Sequence, residues 1–168
     1  GAAHLQAGSV VNQGGTVVAA GDLAANVASL DNTKGVFGSS TGNLNVASVG
    51  AISNTGGKLA AQDVTLNAAS LGNQGGTVSA RNLAVNTGTG AVDNSNGTVS
   101  ASGAATIQSG DLVNKAGTLV AGQDLSATVA SLDNTGGTLG SSAANVNIQS
   151  SGAIANANGK LVAAQDAS

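Results

Sequence analysis

An asparagine followed three residues later by a glycine recurs eight times along this chain, at intervals of 19 to 22 residues. Every copy also has an apolar residue two positions before the Asn and another five positions after it. The Asn column consists of Asn12, Asn32, Asn54, Asn73, Asn94, Asn114, Asn134 and Asn156. The Gly column consists of Gly15, Gly35, Gly57, Gly76, Gly97, Gly117, Gly137 and Gly159. Because each copy must adopt the same local structure, this repeat constrains the fold more than any other feature.

The length of the repeat favours strands over helices. Repeats built from helix pairs need about 33 residues or more, and leucine-rich repeats of similar length need several Leu per copy. A second apolar set alternates with a period of two, as in Leu23 with Ala25 and Leu44 with Val46, which is typical of strands. We therefore predict an all-β fold, a parallel β-helix (β-solenoid) with three short strands in each of about eight coils. Coils spaced by about 4.8 Å would form a rod of roughly 35–40 Å.

Each column then has a structural role. Stacked Asn side chains can form a ladder in which each amide donates to the amide oxygen one coil away. We expect the Gly column to supply positive φ in the turn that follows the Asn. A second column alternates Asp, Asn and one Ala, and never places two Asp in adjacent coils, where they would repel by roughly 1 kcal/mol. That column contains Asp22, Asn43, Asp63, Asn82, Ala104, Asp124, Asn145 and Asp166, which we interpret as turn formers.

Composition argues against several classes of function. The net charge is −3 and the five basic residues are scattered, so no nucleic-acid partner is expected. No apolar run is long enough to span a membrane. Insertions of one or two residues leave no walls for a cleft, so we predict no catalytic, cofactor-binding or metal-binding residues and no enzyme activity. His4 is the only histidine, Asp is too sparse for calcium repeats, and the Thr column that could suggest ice binding is interrupted by Val36, Lys58 and Lys160.

A longer period lies above the coil. ASLDNT occurs at 28–33 and 130–135, and GSS at 38–40 and 140–142, both offset by 102 residues. Five coils therefore form a duplicated block. Because the chain begins and ends inside the pattern, we expect 1–168 to be a single repeat segment of a longer filamentous protein. Its end strands would be open edges, so an isolated segment is expected to stack end to end.

The segments LDNTGGTLGSS (132–142), LDNTKGVFGSS (30–40) and ISNTGGKLAAQD (52–63) resemble the haemagglutinin repeats of filamentous haemagglutinin. Similar repeats form the stalks of contact-dependent growth inhibition toxins. The resemblance covers essentially the whole chain. It implies a right-handed parallel β-helix and two-partner secretion, in which an outer-membrane transporter exports the chain. It also implies a location on the bacterial surface, outside the outer membrane, or in the medium.

Two functional hypotheses follow. A third, that the chain is an enzyme, would need one confirmed turnover of a polysaccharide. The first is a structural shaft of a secreted adhesin that presents distal adhesive or toxin domains. The second is a growth-inhibition stalk that itself binds a receptor or glycan on a host or neighbouring cell. Sugar-binding faces commonly carry aromatic residues, whereas the one aromatic here, Phe37, lies in a predicted core column.

Overall fold

The computed structural model describes residues 1–168, and all of its regular structure is β-strand. The twenty strands are β1 (Ala3–Val11), β2 (Thr16–Ala19), β3 (Leu23–Asp31), β4 (Val36–Ser39), β5 (Leu44–Ser48), β6 (Ala51–Ser53), β7 (Lys58–Ala60), β8 (Asp63–Asn67), β9 (Ser70–Gly72), β10 (Thr77–Ala80), β11 (Asn82–Asn86), β12 (Val92–Asp93), β13 (Thr98–Ala101), β14 (Ala105–Val113), β15 (Thr118–Ala121), β16 (Leu125–Asp133), β17 (Thr138–Ser141), β18 (Val146–Ser150), β19 (Ile154–Ala155) and β20 (Lys160–Val162).

The strands stack as a β-solenoid. One sheet contains eight strands in the order β2-β4-β7-β10-β13-β15-β17-β20, with every neighbouring pair parallel. Each coil contributes one strand to this sheet, so there are eight coils. The other twelve strands form a second sheet that bends around the remaining sides of the rod. The prediction of a parallel β-helix of about eight coils is confirmed.

The number of strands per coil differs from the prediction in half of the coils. Coils 3, 4, 5 and 8 have three strands each, such as β5, β6 and β7 in coil 3. In coils 1, 2, 6 and 7 the first two segments join into one nine-residue strand, as in β3 of coil 2. Between β5 and β6 the chain instead passes through Val49 and Gly50, outside any strand.

The strand register joins each sequence column to itself. Val17 pairs with Phe37 and Leu30 with Ile52, so the apolar positions flanking the Asn stack coil upon coil. The second apolar column also pairs in register, including Ala105, which lies between Leu83 and Leu125. In-register pairing keeps every apolar column on the inner face, because a slip of one residue would turn it outward.

The core is a single cluster of 31 buried residues, dominated by Leu, Val, Ile and Ala, that runs the length of the rod. Phe37 is fully buried within it, as its place in the apolar column predicts. Ala and Ser occupy the column seven residues after the Asn, and most of them are buried. This column lies at the C-terminal end of the strands of the eight-stranded sheet, or directly after it. The structure contains no helix that could cross a lipid bilayer.

Candidate functional site

The most prominent polar feature lies inside the rod. The eight Asn side chains of the predicted ladder form one file, and in each of the seven steps Nδ2 of one coil donates to Oδ1 of the next at 2.7 Å. The six interior members, from Asn32 to Asn134, have no solvent exposure, whereas Asn12 is 7% exposed and Asn156 is half-buried. A buried amide is costly unless it is hydrogen-bonded, so the ladder makes an interior Asn compatible with an apolar core.

Each interior Nδ2 also contacts two backbone oxygens. In coil 5, Nδ2 of Asn94 lies 3.3 Å from the carbonyl oxygen of Gly97 in its own coil and 3.0 Å from that of Thr118 in the next. The same pair of contacts recurs at the other coils from Asn12 to Asn134. Each ladder Asn therefore links its own turn to the first residue of the strand that the next coil contributes to the eight-stranded sheet.

The ladder has a direction. Every amide nitrogen points toward the C-terminal coil and every amide oxygen toward the N-terminal coil. Oδ1 of Asn12 consequently has no donor from within the file, and Nδ2 of Asn156 has no acceptor. Hydrogen bonds aligned in one direction polarise one another, so an interior member is expected to matter more than a terminal one.

The prediction that the Gly column supplies positive φ is wrong. None of the eight glycines that lie three residues after the Asn has positive φ. They are required by close packing instead. A Cβ on Gly76 would lie 2.6 Å from Oδ1 of Asn73 and would overlap the backbone oxygen of Asn54 in the preceding coil. The other interior members of the column meet the equivalent atoms, so the ladder leaves no room for a side chain beside it.

Positive φ occurs one residue earlier, in a column that the sequence reasoning missed. It contains Gly14, Lys34, Gly56, Gly75, Asn96, Ala116, Gly136 and Asn158. Half of these residues are Gly and two are Asn, the types that best tolerate left-handed backbone. The enrichment of Gly and Asn two residues after each ladder Asn could have identified this column from the sequence.

The Asx column forms a second ladder on the outside of the rod. Oδ1 of Asp22 accepts the backbone N–H of Asn43, and Oδ1 of Asn43 accepts that of Asp63. The pattern continues through Asn82 and resumes from Asp124 onward. It is interrupted at Ala104, whose side chain cannot accept the backbone N–H of Asp124. These residues bridge neighbouring coils, and Asp63 and Asn82 are the first residues of strands β8 and β11.

Several carboxylates on the surface are stabilised in their ionised form. Arg81 contacts Asp63 with an Nη2–Oδ2 distance of 2.8 Å and lowers the pKa of Asp63 below its usual 3.8. Hydrogen bonds from Thr33 and Gln13 lower the pKa of Asp31 in the same way. Thr135, and after it Lys115, lowers the pKa of Asp133. All of these pairs join neighbouring residues or coils at the solvent, where ion pairs contribute little stability.

The duplicated GSS segments have a structural explanation. Oγ of Ser39 donates to the carbonyl oxygen of Gly21 and accepts the backbone N–H of Gly42. In the second block, Ser141 makes the matching contacts with Gln123 and Ala144. These hydroxyls stabilise the turn that follows each GSS.

The surface offers shallow hollows without concentrated chemistry. One hollow encloses about 700 Å³ along the bend of coils 5 to 8 and is lined by uncharged residues, among them Gln108, Thr128 and Gln149. No group of three or more His, Cys, Asp or Glu residues is placed to hold a metal ion. His4 lies in the exposed first strand.

Comparison with known proteins points to one family. A family model described as the haemagglutinin repeat matches residues 1–56, 39–94 and 78–168, which together cover the whole chain. No curated protein and no solved structure gives a significant match.

Proposed function

The chain belongs to the haemagglutinin repeat family, and from that premise we propose that it is a segment of the rigid shaft of a secreted bacterial surface adhesin. The shaft would hold distal adhesive or toxin domains away from the cell, and its own residues would carry out no catalysis. We further propose export by a two-partner transporter of the outer membrane. The stalk of a contact-dependent growth inhibition toxin is the alternative parent.

One observation carries the shaft proposal. The Asn ladder passes through all eight coils with seven contacts of the same 2.7 Å length and no interruption. A continuous buried file of this kind resists bending at any one coil, because bending would break hydrogen bonds that water cannot replace. A repeat array with uniform interfaces also grows in one dimension as coils are added.

A second candidate function is direct binding by the outer face of the first strand segment. Six exposed carboxamides lie along one line of the rod, which follows the in-register strands. Asn86 accepts the backbone N–H of Gly88, whereas the other five make no side-chain hydrogen bonds within the chain: Gln6, Asn26, Asn67, Gln108 and Gln149. Uncharged amides in this arrangement could hydrogen-bond to a receptor or to glycan hydroxyls. This is the observation that favours a binding role.

A competition experiment separates the two functions. Cells that display the parent protein are mixed with their target surface in the presence of an excess of the purified 168-residue chain. A shaft segment should leave attachment unchanged, whereas a binding segment should compete. Reproducible inhibition, or reproducible hits on a glycan array at physiological salt, would overturn the shaft-only proposal.

A length experiment tests the shaft directly. A second copy of residues 32–133 inserted after Asp133 reproduces the native five-coil offset and adds five members to the ladder. Small-angle scattering should show an unchanged cross-section and a rod longer by about 24 Å, since each coil adds about 4.8 Å. A compact second body in place of the longer rod would contradict the proposal.

A further inference from the structure

The positive-φ column and the Gly column lie side by side in sequence, and this arrangement has a chemical consequence. Positive φ favours Asn or Gly at the first position, and the ladder requires Gly at the second. Wherever Asn occupies the first position, an Asn-Gly pair results. The chain contains two such pairs, Asn96–Gly97 in coil 5 and Asn158–Gly159 in coil 8, and both Asn have φ of +55°.

Both Asn side chains are exposed and make no hydrogen bond, so each amide is free to rotate toward the backbone nitrogen that follows it. Gly97 has no Cβ to shield that nitrogen. Gly97 is itself buried, and its N–H donates to the carbonyl oxygen of Asn94 at 3.0 Å across the turn. The turn must open and break this hydrogen bond for the nitrogen to react. A turn at the surface opens at low free-energy cost compared with the core.

We propose that Asn96 and Asn158 are sites of spontaneous deamidation in the folded rod. The backbone nitrogen of the following Gly loses its proton to solvent base and attacks Cγ of the Asn. The new N–Cγ bond closes a five-membered succinimide as the bond between Cγ and the side-chain nitrogen breaks, and that nitrogen takes up a proton from solvent and leaves as ammonia. Water then opens one of the two ring carbonyls, which yields aspartate or isoaspartate.

The ladder asparagines are protected from the same reaction. Nδ2 of Asn94 is held by three acceptors, its side chain has no exposure, and the next residue is Ser95. Attack on its Cγ would require the buried file to open. The fold thus separates the six fully buried ladder amides, from Asn32 to Asn134, from two exposed and reactive ones.

The reaction should act on the ladder. Each event adds a negative charge, and isoaspartate also lengthens the main chain by one carbon immediately before Gly97. That glycine has no spare volume, because even a Cβ would lie 2.5 Å from Oδ1 of Asn94 and 3.0 Å from Nδ2 of Asn73. Deamidation at coil 5 should therefore weaken an interior step of the ladder, and deamidation at coil 8 should disturb only its end.

The test is incubation of the folded 168-residue chain in warm, mildly alkaline buffer, followed by peptide mapping with mass spectrometry and enzymatic detection of isoaspartate. The urea-unfolded chain provides the reference rate. Because exposed turns open readily, Asn96 and Asn158 should react within about tenfold of their unfolded rates, whereas the six interior ladder residues should be slowed by more than about a hundredfold. Protection of Asn96 equal to that of Asn94 would overturn the proposal. Reaction confined to Asn158 would also overturn it, since fraying of the last coil would then be the cause.

The matched variant is Asn96→Gly, which places at coil 5 the residue that the same column has at Gly14, Gly56, Gly75 and Gly136. Its fold and initial melting temperature should match those of the parent chain. After incubation, the parent chain should melt at a lower temperature, and the variant should lose less. If the aged parent and the aged variant melt alike while Asn96 is fully converted, the inferred effect on the ladder is refuted.

Discussion

Replacing Asn94 by Ala tests whether the ladder stabilises the rod. Asn94 lies in the middle of the file, in coil 5, and has no solvent exposure. The substitution removes the bond from Asn73 and the bond to Asn114, both 2.7 Å long. The backbone hydrogen bonds of residue 94 to Val113 and Gly97 do not depend on its side chain and should remain.

The expected cost follows from the two groups that lose their partners. Oδ1 of Asn114 has no other donor, and Nδ2 of Asn73 keeps only contacts of 3.3 Å with the carbonyl oxygens of Gly76 and Thr98. Losing the short hydrogen bond of a buried polar group costs about 1–3 kcal/mol, so two such losses should cost about 2–6 kcal/mol of unfolding free energy. At about 2–4 °C per kcal/mol for a chain of this size, that corresponds to a fall in Tm of roughly 4–24 °C.

Thermal and urea unfolding, followed by circular dichroism, measure this difference. Two control variants are expected to lose less stability than Asn94→Ala. Asn96→Ala alters an exposed residue whose column already accommodates Ala116, so its cost should be much smaller. Asn156→Ala removes one ladder bond at the half-buried end and should fall between the other two. Equal losses for Asn94→Ala and Asn96→Ala would refute the stabilising role of the ladder.

Three further predictions concern the columns around the ladder. Gly76→Ala should destabilise the rod by about 3 kcal/mol or more through overpacking. Gly75 has φ of +62° and open space around it, so Gly75→Ala should cost only about 1 kcal/mol. Similar urea midpoints for the two variants would restore backbone conformation as the reason for the Gly column. Ala104→Asn should fill the gap in the outer column and add roughly 0.5–1.5 kcal/mol, measured as a rise in the urea midpoint, and no gain would show that the outer bonds are exchanged with water at no net benefit. The pKa values of Asp31 and Asp63 are lowered, so the folded state favours their ionised forms. The stability that these two carboxylates contribute is present above pH 3.8 and is lost as the pH falls through their lower folded-state pKa values. A urea midpoint that rose on acidification below pH 3.8 would contradict this assignment.

Much of this architecture can be read from periodicity. In a parallel stack, each residue of a coil faces the equivalent residue of the next, so a column in the sequence is also a column in space. The positions of Asn94, Val92 and Val99 within their repeat therefore predicted their stacking, their burial and the register of their strands. The same logic identified the outer Asx column, although not its bonds to the backbone of the next coil.

Contacts between different columns could not be read in this way, because they depend on distances across a corner. Gly97 is glycine since the carbonyl oxygen of Asn73, one coil earlier, lies where a Cβ would project. The sequence shows only that the residue is Gly, and backbone flexibility was the more familiar explanation for it. Which coils have two strands and which have three also depends on how the chain passes the bend, a matter of local packing that leaves the repeat length almost unchanged. Stacking of like on like is one-dimensional and visible in a sequence, whereas the volume available at each corner exists only once neighbouring coils are in place.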